Sequence, residues 1–129
     1  MTTWTSTELS VIGDSEELVI ASLQQDGTPG KPTTIWVVRV GDALYVRPVN
    51  GRKGAWFRGT QVRHEGYIEA GGVHRDVTFV DVDAADAVND QIDAAYWEKY
   101  PQYPQYVPPV VTPQARDATI KLIPRSTGV

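Results

Sequence analysis

Six basic residues, Arg47, Arg52, Lys53, Arg58, Arg63 and Arg75, fall between positions 47 and 75 against two acids, Glu65 and Glu69. Inside that span the run Asn50-Gly51-Arg52-Lys53-Gly54-Ala55-Trp56-Phe57-Arg58-Gly59 holds what an anion site needs. Glycines let a backbone wrap an anion closely, the cations neutralise it, and a helix opening near Ala55 would aim free amides at it. The chemistry suits a phosphate or a carboxylate. The run lacks the Gly-Lys-Ser/Thr ending of a Walker loop and the Gly-x-Gly-x-x-Gly of a dinucleotide fold, and many surface loops share its composition. Positions 76–98 carry seven acids and no base, so two oppositely charged solvated faces are the competing reading.

Other clusters are weaker. Glu69, His74 and their neighbours are compatible with a metal or acid/base group, but an ordinary wet sheet face has the same mixture, and no metal site is expected. Two histidines, no cysteine and no Gly-x-Ser-x-Gly elbow leave little for covalent catalysis. Any reaction would then rest on a bound cofactor, with the protein supplying position and electrostatics.

These residues have to be placed by secondary structure. Thr5 or Ser6 can cap a short helix over 5–12, with Glu8 in its first turn and Gly13-Asp14 at its end. Leu18 to Leu23 reads as a strand that leaves through the turn residues Asp26-Gly27-Thr28-Pro29-Gly30. Two hairpins follow, 33–40 with 43–48 around Gly41-Asp42, and 65–70 with 73–80 around Gly71-Gly72. A change of period after Asp83 predicts the main helix over 84–99. Five prolines between 101 and 113 then forbid regular hydrogen-bonded structure. The three-residue spacing of Tyr100, Tyr103 and Tyr106 suits a polyproline II strip, which reads first as a well-packed crossover and otherwise as a strip that lids a pocket or faces a partner subunit. Alternate apolar residues over 115–124 predict a closing strand. About six strands, one main helix and two short ones make a mainly β protein, a small antiparallel barrel with appended helices.

Register then assigns faces. A two-residue turn at Gly41-Asp42 opposes residues whose numbers sum to 83, which sets Trp36 across from Arg47 and Val38 across from Tyr45. Ile35, Val37, Leu44, Val46 and Pro48 take the apolar core face. Trp36 and Arg47 read either as a cation–π pair or as a flat wall and an anion clamp for one ligand. At Gly71-Gly72 the sum is 143. Arg75 then falls on an apolar face, where a buried guanidinium must meet a carboxylate, a ligand anion or water. Trp56 reads more readily as a core plug than as a ligand stack.

Composition sets the outer bounds. The chain has 129 residues, 41% of them hydrophobic and 22% charged, which fits one domain over 1–129 that buries roughly two-thirds of its unfolded surface. A net charge of −4 argues against a general nucleic-acid binder. The longest aliphatic stretches run to about six residues against the roughly twenty of a membrane helix. The polar first ten residues do not resemble an export signal, so a cytoplasmic protein is expected.

The runs Asp26-Gly27-Thr28-Pro29, Ile35-Trp36-Val37-Val38, Leu44-Tyr45-Val46-Arg47 and Gly54-Ala55-Trp56-Phe57-Arg58 together resemble the FMN-binding split-barrel superfamily. Its members include pyridoxamine-phosphate-oxidase-like and deazaflavin-dependent nitroreductase-like proteins. Ala94-Ala95-Tyr96-Trp97-Glu98-Lys99-Tyr100 and Ala118-Thr119-Ile120-Lys121-Leu122-Ile123-Pro124 extend the resemblance over nearly the whole chain, and more narrowly toward a bacterial domain-of-unknown-function family. The resemblance implies a split barrel that binds FMN or a deazaflavin and supports hydride transfer to a small organic acceptor. By the same resemblance Lys31, Arg47, Arg52, Lys53 and Arg58 would hold the cofactor phosphate. Thr33, Thr34 and Trp36 would line the ring site, with Tyr45 as a second wall. The loop Arg-Pro-Val-Asn-Gly-Arg-Lys-Gly-Ala departs from the Ser-Lys-rich turn frequent in relatives. Many split barrels are homodimers with cofactor at the shared interface, whereas the deazaflavin branch is often monomeric. The alternatives are a non-catalytic cofactor-binding barrel and an interaction protein that uses segment 100–109.

Overall fold

Thr5 and Glu8 start the first helix by satisfying each other's amides: the Glu8 amide donates to Thr5 Oγ1 at 3.1 Å and the Thr5 amide to Glu8 Oε1 at 2.9 Å. The computed structural model describes residues 3–125, and in it this capping box opens α1, Ser6–Asp14. The other Glu8 oxygen accepts from Arg75 Nη1 at 2.6 Å, so Arg75 finds the carboxylate that its place on an apolar face demanded. Burial alone would raise the Glu8 pKa. The Thr5 amide and the Arg75 guanidinium outweigh that effect and hold the carboxyl below the usual glutamate range. A folded-state pKa below the unfolded one gives stability that is complete above the unfolded value, near 4.3, and is lost as pH falls through the folded one. Urea titrations at a series of pH values should therefore find Glu8→Gln less stable than wild type at pH 7. The gap should narrow as pH falls below about 4 and close once Glu8 is protonated in the folded state; a gap that stays constant with pH would contradict this account.

Among the described residues seven strands follow in one antiparallel sheet: β1 Leu18–Ser22, β2 Thr33–Ile35, β3 Val38–Val40, β4 Ala43–Val46, β5 Glu65–Ala70, β6 Val73–Asp81 and β7 Ile120–Pro124. Their spatial order is β2-β1-β5-β6-β7-β4-β3. Leu18 and Ile20 of β1 share one apolar cluster with Leu44 and Val46 of β4, near the opposite end of that order. The sheet must therefore roll around its core. Leu9 and Ile12 of α1 and Phe57 of α2, Ala55–Arg63, also enter it. Trp4 Nε1 donates to Leu122 O at 3.0 Å, which ties the start of the chain to the last strand.

A second cluster lies under α3, Val88–Lys99, where Ile92, Tyr96 and Tyr100 cover Val38 and Tyr45 together with Val107 and Val110. Helix α3 starts four residues later than the periodicity suggested. The Asp83 and Asp86 carboxylates accept from the amides of Ala85 and Val88 at 2.8 and 2.9 Å, and these local turns compete with the helical ladder.

Both hairpin registers hold, with Val38 opposite Tyr45 and Ile68 opposite Arg75. The expected single strand 33–40 is instead two. β2 pairs with β1, β3 pairs with β4, and Trp36-Val37 lies between them outside the ladder. The Val37 amide donates to Tyr100 Oη at 3.3 Å, and its carbonyl accepts from Lys99 Nζ at 2.6 Å. The backbone groups that a continuous strand would pair are thus met by the end of α3. Trp36 consequently does not pair with Arg47.

The Pro-rich segment also differs from expectation. It is a run of turns, not a polyproline II strip: the Tyr103 amide donates to Tyr100 O, Tyr106 to Tyr103 O and Val110 to Val107 O. A 3₁₀ turn over Pro108–Val110 and the one-turn helix α4, Pro113–Arg116, follow, and β7 is confined to the last part of 115–124. Among the described residues no helix is long and apolar enough to cross a membrane.

Candidate functional site

The break at Trp36-Val37 leaves β2 at one edge of the sheet, and beside that edge opens a cleft of about 630 Å³. Thr33, Thr34 and Ile35 of β2 form one side, Trp56 of α2 and Val49-Asn50 another, and Tyr106, Pro109 and Val110 of the turn segment a third. Trp36 and Glu17 complete the rim, and Arg47 reaches the floor. The volume lies within the range of pockets for drug-sized ligands.

The Trp36 ring is fixed from behind. It stacks on Tyr100 with centroids 3.9 Å apart and planes 5° apart, and Tyr103 lies 5.8 Å from it. Tyr100 is fully buried, and its hydroxyl donates to Glu16 O at 2.7 Å. The Tyr103 hydroxyl donates to Glu16 Oε1 at 2.6 Å. Two of the three tyrosines are therefore internal supports of Trp36, and Tyr106, 58% exposed, is the one left at the cleft mouth.

Cations between the hairpins do not converge on one point. Arg47 is buried, and each of its five N–H groups has an acceptor inside the protein. Nε donates to Thr119 Oγ1 at 2.9 Å, and Nη1 donates to Asp93 Oδ1 and to Val110 O. Nη2 donates to Asn89 Oδ1 at 2.9 Å and more weakly to Asn89 O. Asp93 is shared with Arg116, which also pairs with Asp90. Arg47 thus locks β4 to α3 and to the turn segment, with no donor left for a ligand. Arg52 pairs with Asp117 at 2.9 Å and borders a separate cleft with Asp81 and Asp83. Tyr45 is buried in the cluster under α3, where burial pushes its hydroxyl pKa up.

Lys31 lies elsewhere. It lines a smaller cleft of about 200 Å³ together with Gly30, Ala55, Trp56 and Gly59. Thr33 and Trp56 belong to both clefts, so the two adjoin across these residues. Lys31, Lys53 and Arg58 are exposed. Among the described residues no group of His, Cys, Asp and Glu could hold a metal ion; His74 and Glu69 stand 4.0 Å apart, with His74 stacked on Tyr67.

Sequence reasoning brought Thr33, Thr34 and Trp36 to one place, and the structure joins them there. It missed Asn89, Asp93 and Thr119 as the acceptors of Arg47, since a buried ion pair between distant elements leaves no local pattern. Trp56 was read as a core plug. It packs against the core and also walls both clefts.

Several solved structures share this fold at low identity. "HutZ, the heme storage protein from Vibrio cholerae", is 14% identical, with a TM-score of 0.67 over 94% of this chain and 90% of that one. An FAD-binding protein from Mesorhizobium loti is also 14% identical, with a TM-score of 0.64 over 96% and 92%. An F420-H2 dependent reductase is 12% identical, with a TM-score of 0.60 over 84% and 93%. No curated protein matches the chain. Residues 8–122 match the family described as "uncharacterized protein conserved in bacteria", DUF2255.

Proposed function

The chain belongs to the DUF2255 family and its rolled sheet has the split β-barrel fold of those structures; from that premise we propose that it binds a flavin or deazaflavin in the cleft beside β2. The observation that carries this reading is the cleft itself. It is large enough for a tricyclic ring and is bordered by Trp36, Trp56 and Tyr106, with two threonines along an open strand edge. Apolar aromatic walls with a few polar groups are what such ligands require.

Each residue has a distinct part. Trp36, braced by Tyr100 and Tyr103, offers a wall that does not need to be ordered on binding, which lowers the entropic cost of association. Thr33 and Thr34 supply hydroxyls for the polar edge of the ring. The floor stays fixed because Arg47 is held on every side. An anionic tail would run past Thr33 and Trp56 into the adjoining cleft, where Lys31 meets it; Lys53 and Arg58 are exposed but line neither cleft. A bound flavin or deazaflavin supplies the hydride chemistry, so the protein needs no nucleophile of its own. Glu17 is the one carboxylate on the cleft's lining.

Titration with FMN, riboflavin and a deazaflavin, followed by absorbance and ligand fluorescence, tests the proposal. Micromolar binding with a shifted spectrum is expected; no change with any of them would end it. Lys31→Ala should weaken FMN by tenfold or more, in line with the roughly 1.5–3 kcal/mol of a charge-assisted hydrogen bond. The same variant should leave riboflavin, which lacks the phosphate, unchanged. Equal losses for both ligands would remove Lys31 from the anion site. Tight binding without turnover across nicotinamide, deazaflavin and quinone partners would identify a carrier or sensor instead of an oxidoreductase.

A further inference from the structure

A separate cleft of about 340 Å³ lies where the end of α1 meets β3 and the last turn of α3. Asp14, Arg39, Glu98 and Lys99 line it, with Gly13 and Val38. Lys99 is part-buried, with its ammonium 5.2 Å from the centroid of the Tyr100 ring and one N–H donated to Val37 O. The side chain therefore has a fixed end instead of the freely swinging one of a surface lysine. Gly13 makes room for its neighbour: a β-carbon there would stand 3.3 Å from Arg39 Cδ. Arg39 Nε donates to Gly41 O at 2.8 Å, and its terminal nitrogens make a loose 4.0 Å pair with Asp42. They keep donors for an anion.

We propose that Lys99 is a carbonyl-condensation site, forming an imine with a small aldehyde or 2-oxo acid held in this cleft, with Arg39 receiving the anionic group of the acid. The neutral amine attacks the carbonyl carbon and makes the C–N bond while the carbonyl oxygen takes up a proton. The nitrogen then loses one proton, the oxygen, protonated again, leaves as water with the C–O electron pair, and the resulting iminium gives its remaining proton to solvent to become the imine. The reaction is a condensation and needs no oxidant or reductant.

The N–H···O bond to Val37 occupies one hydrogen, which leaves a deprotonated amine its second hydrogen and its lone pair. Burial favours that form. It outweighs the nearby carboxylates of Asp14 and Glu16 and brings the Lys99 pKa down to about 8. Glu98 and Arg39 also face the cleft, and Tyr100 packs beneath the amine. At pH 7 roughly a tenth of such an amine is neutral, against well under a thousandth of an exposed lysine.

Four lysines, Lys31, Lys53, Lys99 and Lys121, let one experiment contain its own controls. The full chain is treated with limiting glyoxylate and cyanoborohydride at pH 7.5, and the trapped adducts are located by peptide mass analysis. Lys99 should be labelled at least tenfold faster than each of the other three. Its rate should level off above about pH 8, while theirs keep rising. That preference should vanish in urea. Labelling of Lys99 no faster than that of Lys31 and Lys53 would overturn the proposal. Arg39→Ala should slow glyoxylate and leave propanal labelling of Lys99 unchanged. An unchanged glyoxylate rate would remove Arg39 as the anion partner. Lys99→Arg, which keeps a cationic donor for Val37 O, should lose the selective adduct with an unaltered circular dichroism spectrum; a selective adduct that persists there would place the chemistry elsewhere.

Discussion

Arg47→Ala should lower folding stability by about 3–5 kcal/mol, the cost of removing one partner from a buried, hydrogen-bonded ion pair. The guanidinium joins three parts of the chain that no sheet ladder connects: β4, the start of α3 through Asn89 and Asp93, and the turn segment through Val110. Truncation leaves Asn89 Oδ1 and the Val110 carbonyl short of a donor, each loss adding to the electrostatic one. Asp93 keeps Arg116, so the loss falls on the buried neutral acceptors, and Arg47→Lys, which restores a cation but not the guanidinium fork, should recover only part of it. Urea denaturation of both variants tests this. A loss under about 1 kcal/mol in Arg47→Ala, accompanied by a large fall in ligand affinity, would instead return this arginine to the ligand. The distinction matters because the strand register alone made Arg47 look like an anion clamp.

Gly66→Ala should be comparably damaging for a different reason. A β-carbon at Gly66 would overlap the Ala21 carbonyl oxygen and stand 2.8 Å from two atoms of the Phe79 ring. Overpacking against side chains costs about 1–3 kcal/mol, and here the nearer obstacle is backbone in the neighbouring strand. β1 and β5 would have to part where Ser22 pairs with Gly66, so we expect about 3 kcal/mol or more. Gly41→Ala is the control. Gly41 has φ +60° but nothing within 4 Å of an added β-carbon, and its cost should be limited to the roughly 1–2 kcal/mol of left-handed backbone. Thermal or urea unfolding of the pair should separate them clearly; equal losses would mean that backbone conformation, not contact, governs Gly66.

What could be read from the sequence was what local periodicity and turn chemistry determine. Gly41-Asp42 and Gly71-Gly72 set the registers of two hairpins, and Thr5 or Ser6 offered a cap for α1, of which the structure uses Thr5. Arg75 on an apolar face announced a buried partner without naming it, because Glu8 is brought there only by tertiary folding. The break at Trp36-Val37 was hidden, since the residues that satisfy Val37 lie on α3, more than sixty positions away. The tyrosine spacing was real, but its cause was turns and packing on Trp36, not polyproline II geometry. At the site, it is the family resemblance, not local periodicity, that groups Thr33, Thr34 and Trp36, and Trp36 lies just beyond the strand that carries the two threonines. The basic residues carried no such information, because whether a cation faces a ligand or a distant Asp depends on contacts that sequence neighbours do not encode.

β7 sits between β6 and β4, so the last strand of the chain is the seam between two groups of strands formed earlier. β1, β2, β5 and β6 are already laddered together without it, and β3 and β4 make their own hairpin. Leu44 meets Leu122, and Phe79 meets the same residue from the other side. A nascent chain emerging from the ribosome therefore holds two incomplete sheets with open edges until residues 120–124 clear the exit, and such non-local closure is intrinsically slow. Premature termination anywhere before Ile120 should accordingly yield a product that aggregates, however much of the barrel it already contains.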